Sequence, residues 1–100
     1  MNLTTRKFIV ELRDSNTDKI IFRDGFKSYA EAYDRASLLA LQYFNTRYLR
    51  SWYSLENNCV IIDYGSHTNF IKIKTQLDDT VTNLEEEHTR YMAGLFRDFK

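Results

Sequence analysis

Hydrophobic side chains change their spacing three times along this chain, and each change restricts what the local backbone can be. In "RKFIVELR", residues 6–13, Phe8, Val10 and Leu12 alternate with Lys7, Glu11 and Arg13, with Ile9 among the latter. That is the period of a strand with one buried face. The turn formers "DSNTD" follow, whose short polar side chains bond nearby backbone groups, and "KIIFR", residues 19–23, reads as the returning strand of a hairpin. Asp24-Gly25 is expected to end it, because glycine accepts positive φ.

At Ser28 the period becomes helical. "SYAE" fits a capping box, with Ser28 as N-cap and Glu31 three residues on. At 100° per residue, Tyr29, Ala32, Tyr33, Ala36, Leu39, Ala40, Tyr43 and Phe44 share one arc, opposite Glu31, Asp34, Arg35 and Gln42. Leu38 breaks the pattern by lying in the polar arc. Continuing the helix through "RYLRSWY", residues 47–53, would carry Arg47 and Arg50 into the apolar arc, a costly burial of charge. The helix is therefore expected to stop near Asn45, a residue suited to a left-handed cap. A short strand is expected over 48–54, where Tyr48, Arg50 and Trp52 alternate with Arg47, Leu49, Ser51 and Tyr53.

"CVIIDY", residues 59–64, is a β-branched strand, and "FIKIK" returns with Ile71 and Ile73 inward. Lys72 and Lys74 would face water and guard a sheet edge. From Leu77 onward, Val81, Leu84, His88, Tyr91, Met92, Leu95, Phe96 and Phe99 form one apolar stripe, predicting a last helix of about 34 Å at ~1.5 Å per residue. Asp78 or Asp79 would cap it. The expected fold is α+β: an antiparallel sheet of four or five strands in the order ββα-ββ(β)-α, both helices on one face. With no proline and three glycines, no linker divides the chain, so residues 1–100 are read as a single domain.

Charge sharpens the picture. The formal net charge is zero, yet residues 1–54 hold nine basic and six acidic side chains, and residues 55–100 hold five and eight. The first half is basic and the second acidic. A lone cysteine, Cys59, excludes an internal disulfide and a cysteine cage, and fits a reducing, cytoplasmic setting. No apolar run approaches the ~20 residues of a membrane span.

Catalytic equipment is sparse. Cys59, Asp63, His67 and His88 show no metal-ligand spacing, and neither GxGxxG nor GxxxxGK[ST] occurs. No catalysis, metal or cofactor is expected. Two binding readings remain. Leu38, Phe96 and Phe99 as apolar anchors, with Asp79, Glu86 and Glu87 on a one-sided acidic ridge, suit a protein interface facing a basic groove. Alternatively, Arg47, Tyr48, Arg50 and Trp52 have the residue types that hold single-stranded nucleic acid, by stacking and phosphate contacts.

This layout, with its many aromatics, absent proline and split charge, resembles small accessory proteins of phages and mobile elements, anti-CRISPR proteins among them. The resemblance implies a non-catalytic inhibitor that occupies a surface of a host nucleic-acid enzyme in the host cytoplasm. A symmetric homodimer is also expected, because the long apolar stripe would outreach the sheet and leave Phe96 and Phe99 to be covered by a second copy.

Overall fold

The computed structural model describes residues 6–14, 16–47, 49–65, 69–76, 79 and 81–97, the last three for their backbone alone. Five strands and two helices follow in chain order: β1 (Phe8–Arg13), β2 (Ile20–Phe26), α1 (Tyr29–Phe44), β3 (Arg50–Ser54), β4 (Cys59–Asp63), β5 (Ile71–Thr75) and α2 (Leu84–Arg97). They form an antiparallel α+β fold with the sheet order β2-β1-β5-β4-β3. Both helices pack on one side of the sheet.

Helix α1 carries the chain from one sheet edge, β2, to the other, β3. Its 16 residues reach about 24 Å, enough to cross four strand spacings of ~4.8 Å. Local chemistry fixes both ends. The Ser28 hydroxyl accepts the Glu31 amide at 3.2 Å, and Asn45 takes the left-handed conformation at φ 51°. Asn45 N–H bonds the Leu41 carbonyl and Thr46 N–H the Ala40 carbonyl, so the last turn closes on itself. Ala32, Ala36 and Ala40, all fully buried, bring the helix close to Phe8, Val10, Leu12, Ile71 and Ile73 of the sheet.

Three expectations need correction. β2 does not stop at Asp24-Gly25: Gly25 pairs with Ile9, and a Cβ there would approach Arg6 Cβ to 3.2 Å, so this glycine permits close approach. α2 starts at Leu84, capped by Asn83, whose Oδ1 accepts the Glu86 amide at 3.0 Å. Asp79 instead closes its own turn, accepting from the Val81 and Thr82 amides and the Thr82 hydroxyl, while Val81 is 91% exposed and leaves the apolar stripe. The 14-residue helix is about 21 Å long, so the reach argument for a dimer through this helix falls; Leu77, Asp78 and Phe99 lie outside the described residues, as do the Leu95 and Phe96 side chains. Finally, β5 is the centre of the sheet, so Lys72 and Lys74 guard no edge.

A buried polar chain joins the helices to β3. His88, 8% exposed, meets the Tyr29 hydroxyl at Nδ1 (2.7 Å) and the Ser51 hydroxyl at Nε2 (3.4 Å). Ser51 in turn lies 2.9 Å from the Tyr33 hydroxyl and donates to Met92 Sδ. One donor order satisfies every atom: Tyr29 O–H gives to Nδ1, and Nε2–H gives to Ser51 of a neutral imidazole. Burial lowers the His88 pKa, against a smaller opposing effect of Ser51.

A folded-state pKa below 6.5 means the unfolded chain binds the extra proton. This contribution to stability is complete above that value and is lost as pH falls below it. Urea unfolding is expected to show stability dropping between pH 7 and 5, with a slope of at most ~1.4 kcal/mol per pH unit for one proton, and His88→Gln should flatten that slope.

Candidate functional site

The sheet face opposite the helices has its own side-chain set, placed by register. Glu11 pairs with Arg23 on one side and Lys72 on the other; Lys72 pairs with Ile61, and Ile61 with Trp52. Arg23, Glu11, Lys72, Ile61 and Trp52 therefore make one row across all five strands. Three strand spacings, about 14 Å, separate the Glu11 and Trp52 backbones. Lys74, Arg13, Asp63 and Arg50 flank this row on the same face.

Glu11 is the pivot of the row. Its side chain is 5% exposed and carries three cations: Arg13 Nε at 3.0 Å, Lys74 Nζ at 3.2 Å and Arg23 Nε at 3.9 Å. Burial pushes its pKa up, but hydrogen bonds and charge from Arg13 and Lys74 outweigh burial and hold the carboxyl below its ordinary value. The Arg13 guanidinium, also reaching Asp18, is pushed up by the same partner. At the other end Asp63 is mostly buried and accepts from Arg50 at 3.4 Å and from the Gly65 amide at 2.8 Å. On these strands the face holds five cations (Arg13, Arg23, Arg50, Lys72, Lys74) and two carboxylates. The carboxylates are sunk and the long basic side chains lie over them, so solvent meets positive charge.

Trp52 is the aromatic element of this face, 38% exposed. Arg50 stands over its ring at 5.6 Å, and Phe70 meets it edge-on at 6.3 Å. These contacts orient the indole, and part of it remains exposed to solvent. Strand alternation explains the placement: Ser51 and Tyr53 point to the helices, so Arg50 and Trp52 must point away. The arrangement suits a ligand that offers both a flat ring and anionic groups.

The remaining candidate residues scatter. Arg47 does not join Arg50 and Trp52; it lines a groove of about 430 Å³ with Asp34, Ser37, Leu38, Leu41 and Leu49. Tyr48 lies outside the described residues. Leu38, 52% exposed, belongs to that groove. Glu86 is paired with Arg90 and Asp79 is held by its turn, which also depresses its pKa through Thr82. Glu87 borders a polar groove with Lys7 and Lys27. The acidic ridge is thus largely engaged within the chain.

Reading the sequence alone missed Glu11, Phe70, Lys72 and Lys74 as site residues. The available signal was an isolated glutamate on the polar side of one strand, and paired lysines on the polar side of another.

Cys59 is buried, which raises its pKa and makes it a poor nucleophile. Among the described residues no group of three or more His, Cys, Asp or Glu is placed to hold a metal ion. No described helix is long and apolar enough to cross a membrane.

Trp52 is the single tryptophan, so its fluorescence reports this face alone. Iodide is expected to quench native emission, and more strongly than caesium, because Arg50 and Lys72 attract the anion. Equal quenching by both ions would contradict the basic character of the face. Comparison with protein-family models, curated proteins and solved structures finds no match to this chain, so the functional reading rests on its own residues.

Proposed function

We propose that this chain is a non-catalytic binding module whose open sheet face holds single-stranded nucleic acid. The observation that carries the reading is the cross-sheet row, which sets a half-exposed Trp52 in register with the Glu11 cation cluster. Unpaired bases offer a π-face to an aromatic ring, while phosphates meet Arg and Lys; duplex bases are already stacked. Arg13, Arg23, Lys72 and Lys74 would take phosphates, and Trp52 a base with Arg50 beside it. Of the stretch 47–53, Arg50 and Trp52 lie on this face, Arg47 lines the groove beside α1, and Tyr48 lies outside the described residues.

The inhibitor reading, a surface docked on a host nucleic-acid enzyme through Asp79, Glu86 and Glu87, draws less support. Asp79 and Glu86 already have partners in the chain. A sheet face with surplus positive charge needs an anionic ligand directly.

Anisotropy of a labelled oligothymidylate tests this. With about four phosphates neutralised, the affinity should fall with salt at a log–log slope of about −3. Losing one stacked base costs ~1–3 kcal/mol, so Trp52→Ala should weaken binding about 5- to 150-fold. Glu11→Gln should separate two effects: stability falls only modestly, by about 1 kcal/mol, as three part-exposed cations lose their carboxylate, while binding tightens. Absence of binding at low salt, or binding indifferent to Trp52, refutes the proposal.

A further inference from the structure

We infer that the outer face of α1 is a two-fold interface for a second copy of this chain. At 100° per residue, Asp34, Leu38 and Leu41 lie opposite Ala36, the fully buried residue facing the sheet. They therefore point away from the core. Leu38 and Leu41 are 52% and 37% exposed, and with Leu49 they form the apolar floor of the 430 Å³ groove. Two leucines exposed side by side in one groove differ from apolar residues scattered singly over a surface, which call for no explanation.

The charges of the groove identify its occupant. Among the described residues its lining has one acid and one base: Asp34 one turn before Leu38, and Arg47 beyond the C-terminal cap. The Tyr91 hydroxyl donates to Asp34 Oδ1 at 2.7 Å and fixes that carboxylate at the rim. Along the chain the order is acid, leucine, leucine, base, the base lying just past the end of α1. A two-fold axis between Leu38 and Leu41 sets α1 antiparallel to its copy. The leucines then meet leucines, and Asp34 faces the partner's Arg47 at both rims. Parallel packing would set like charges together instead. The groove is thus complementary to itself under one symmetry operation, the defining property of an isologous interface.

A consequence follows for the whole assembly. Helix α1 lies on the side of the sheet away from Trp52, so the two open faces would point outward in opposite directions. The interface uses no residue of the cross-sheet row, and this inference stands whether or not that row binds nucleic acid.

Sedimentation equilibrium tests it, with circular dichroism to verify that each variant is folded. The wild-type chain is expected to be dimeric at tens of micromolar. Leu38→Asp should leave a folded monomer. Asp34→Arg or Arg47→Asp alone, turning two attractive rim pairs into repulsive ones, should raise the dimer dissociation constant about tenfold or more. The double variant Asp34→Arg/Arg47→Asp should restore the dimer. A monomeric wild-type chain, larger open-ended species, a dimer insensitive to Leu38→Asp, or a double variant no better than the singles would each overturn the inference.

Discussion

Strand β5 enters between β1 and β4 and makes one sheet of two hairpins. Everything else in the fold depends on that insertion. Its alternation settles both faces at once: Ile71 and Ile73, fully buried, complete the core beneath the helices, and Lys72 and Lys74 must emerge on the opposite face. Two lysines at the centre of a sheet need an anion, and Glu11 on β1 supplies it, 3.2 Å from Lys74. Without β5 the α1 crossover would span a gap, because β1 and β4 have no other shared neighbour.

The Glu11 cluster also explains how a chain with zero formal net charge offers a basic surface. One carboxylate below the side-chain layer draws in three cations, each between 36% and 52% exposed. Partial neutralisation lets those cations sit side by side, and their surplus charge stays at the surface. Solvent screening of such exposed partners limits each pair to a modest contribution, so the cluster matters more for placing charge than for stability. On the helix side, Glu31, Asp34, Glu85 and Glu86 are exposed, so the two sides of the sheet differ in charge, a division that does not follow the basic and acidic halves of the sequence: Glu31 and Asp34 come from the first, Lys72 and Lys74 from the second.

Local elements were legible in the sequence, and non-local placement was not. α1 could be read to the residue because its signals, Ser28 and Asn45, act on the adjacent backbone. The start of α2 misled because Asp79 and Asn83 are both able to cap, and Asp79 spends its carboxylate on the turn at Val81-Thr82 while Asn83 caps the helix. Alternation showed that Arg50 and Trp52 share a face. It could not say which face, because Ser51 is an unremarkable core residue until His88 arrives from α2 to bond it. The same limit hid the site: Lys72 and Lys74 read identically on an edge or at the centre, and only the pairing with β1 brings them to Glu11.

The helix-free sheet face is proposed as the working surface. An amide-resolved NMR titration of the protein with a short oligothymidylate tests it most directly. Shifts are expected to concentrate at Arg23, Glu11, Lys72 and the Trp52 indole N–H, with α1 and α2 nearly unmoved. Shifts centred on Leu38 and Leu41, or on Glu86 and Glu87, with the row silent, would contradict it.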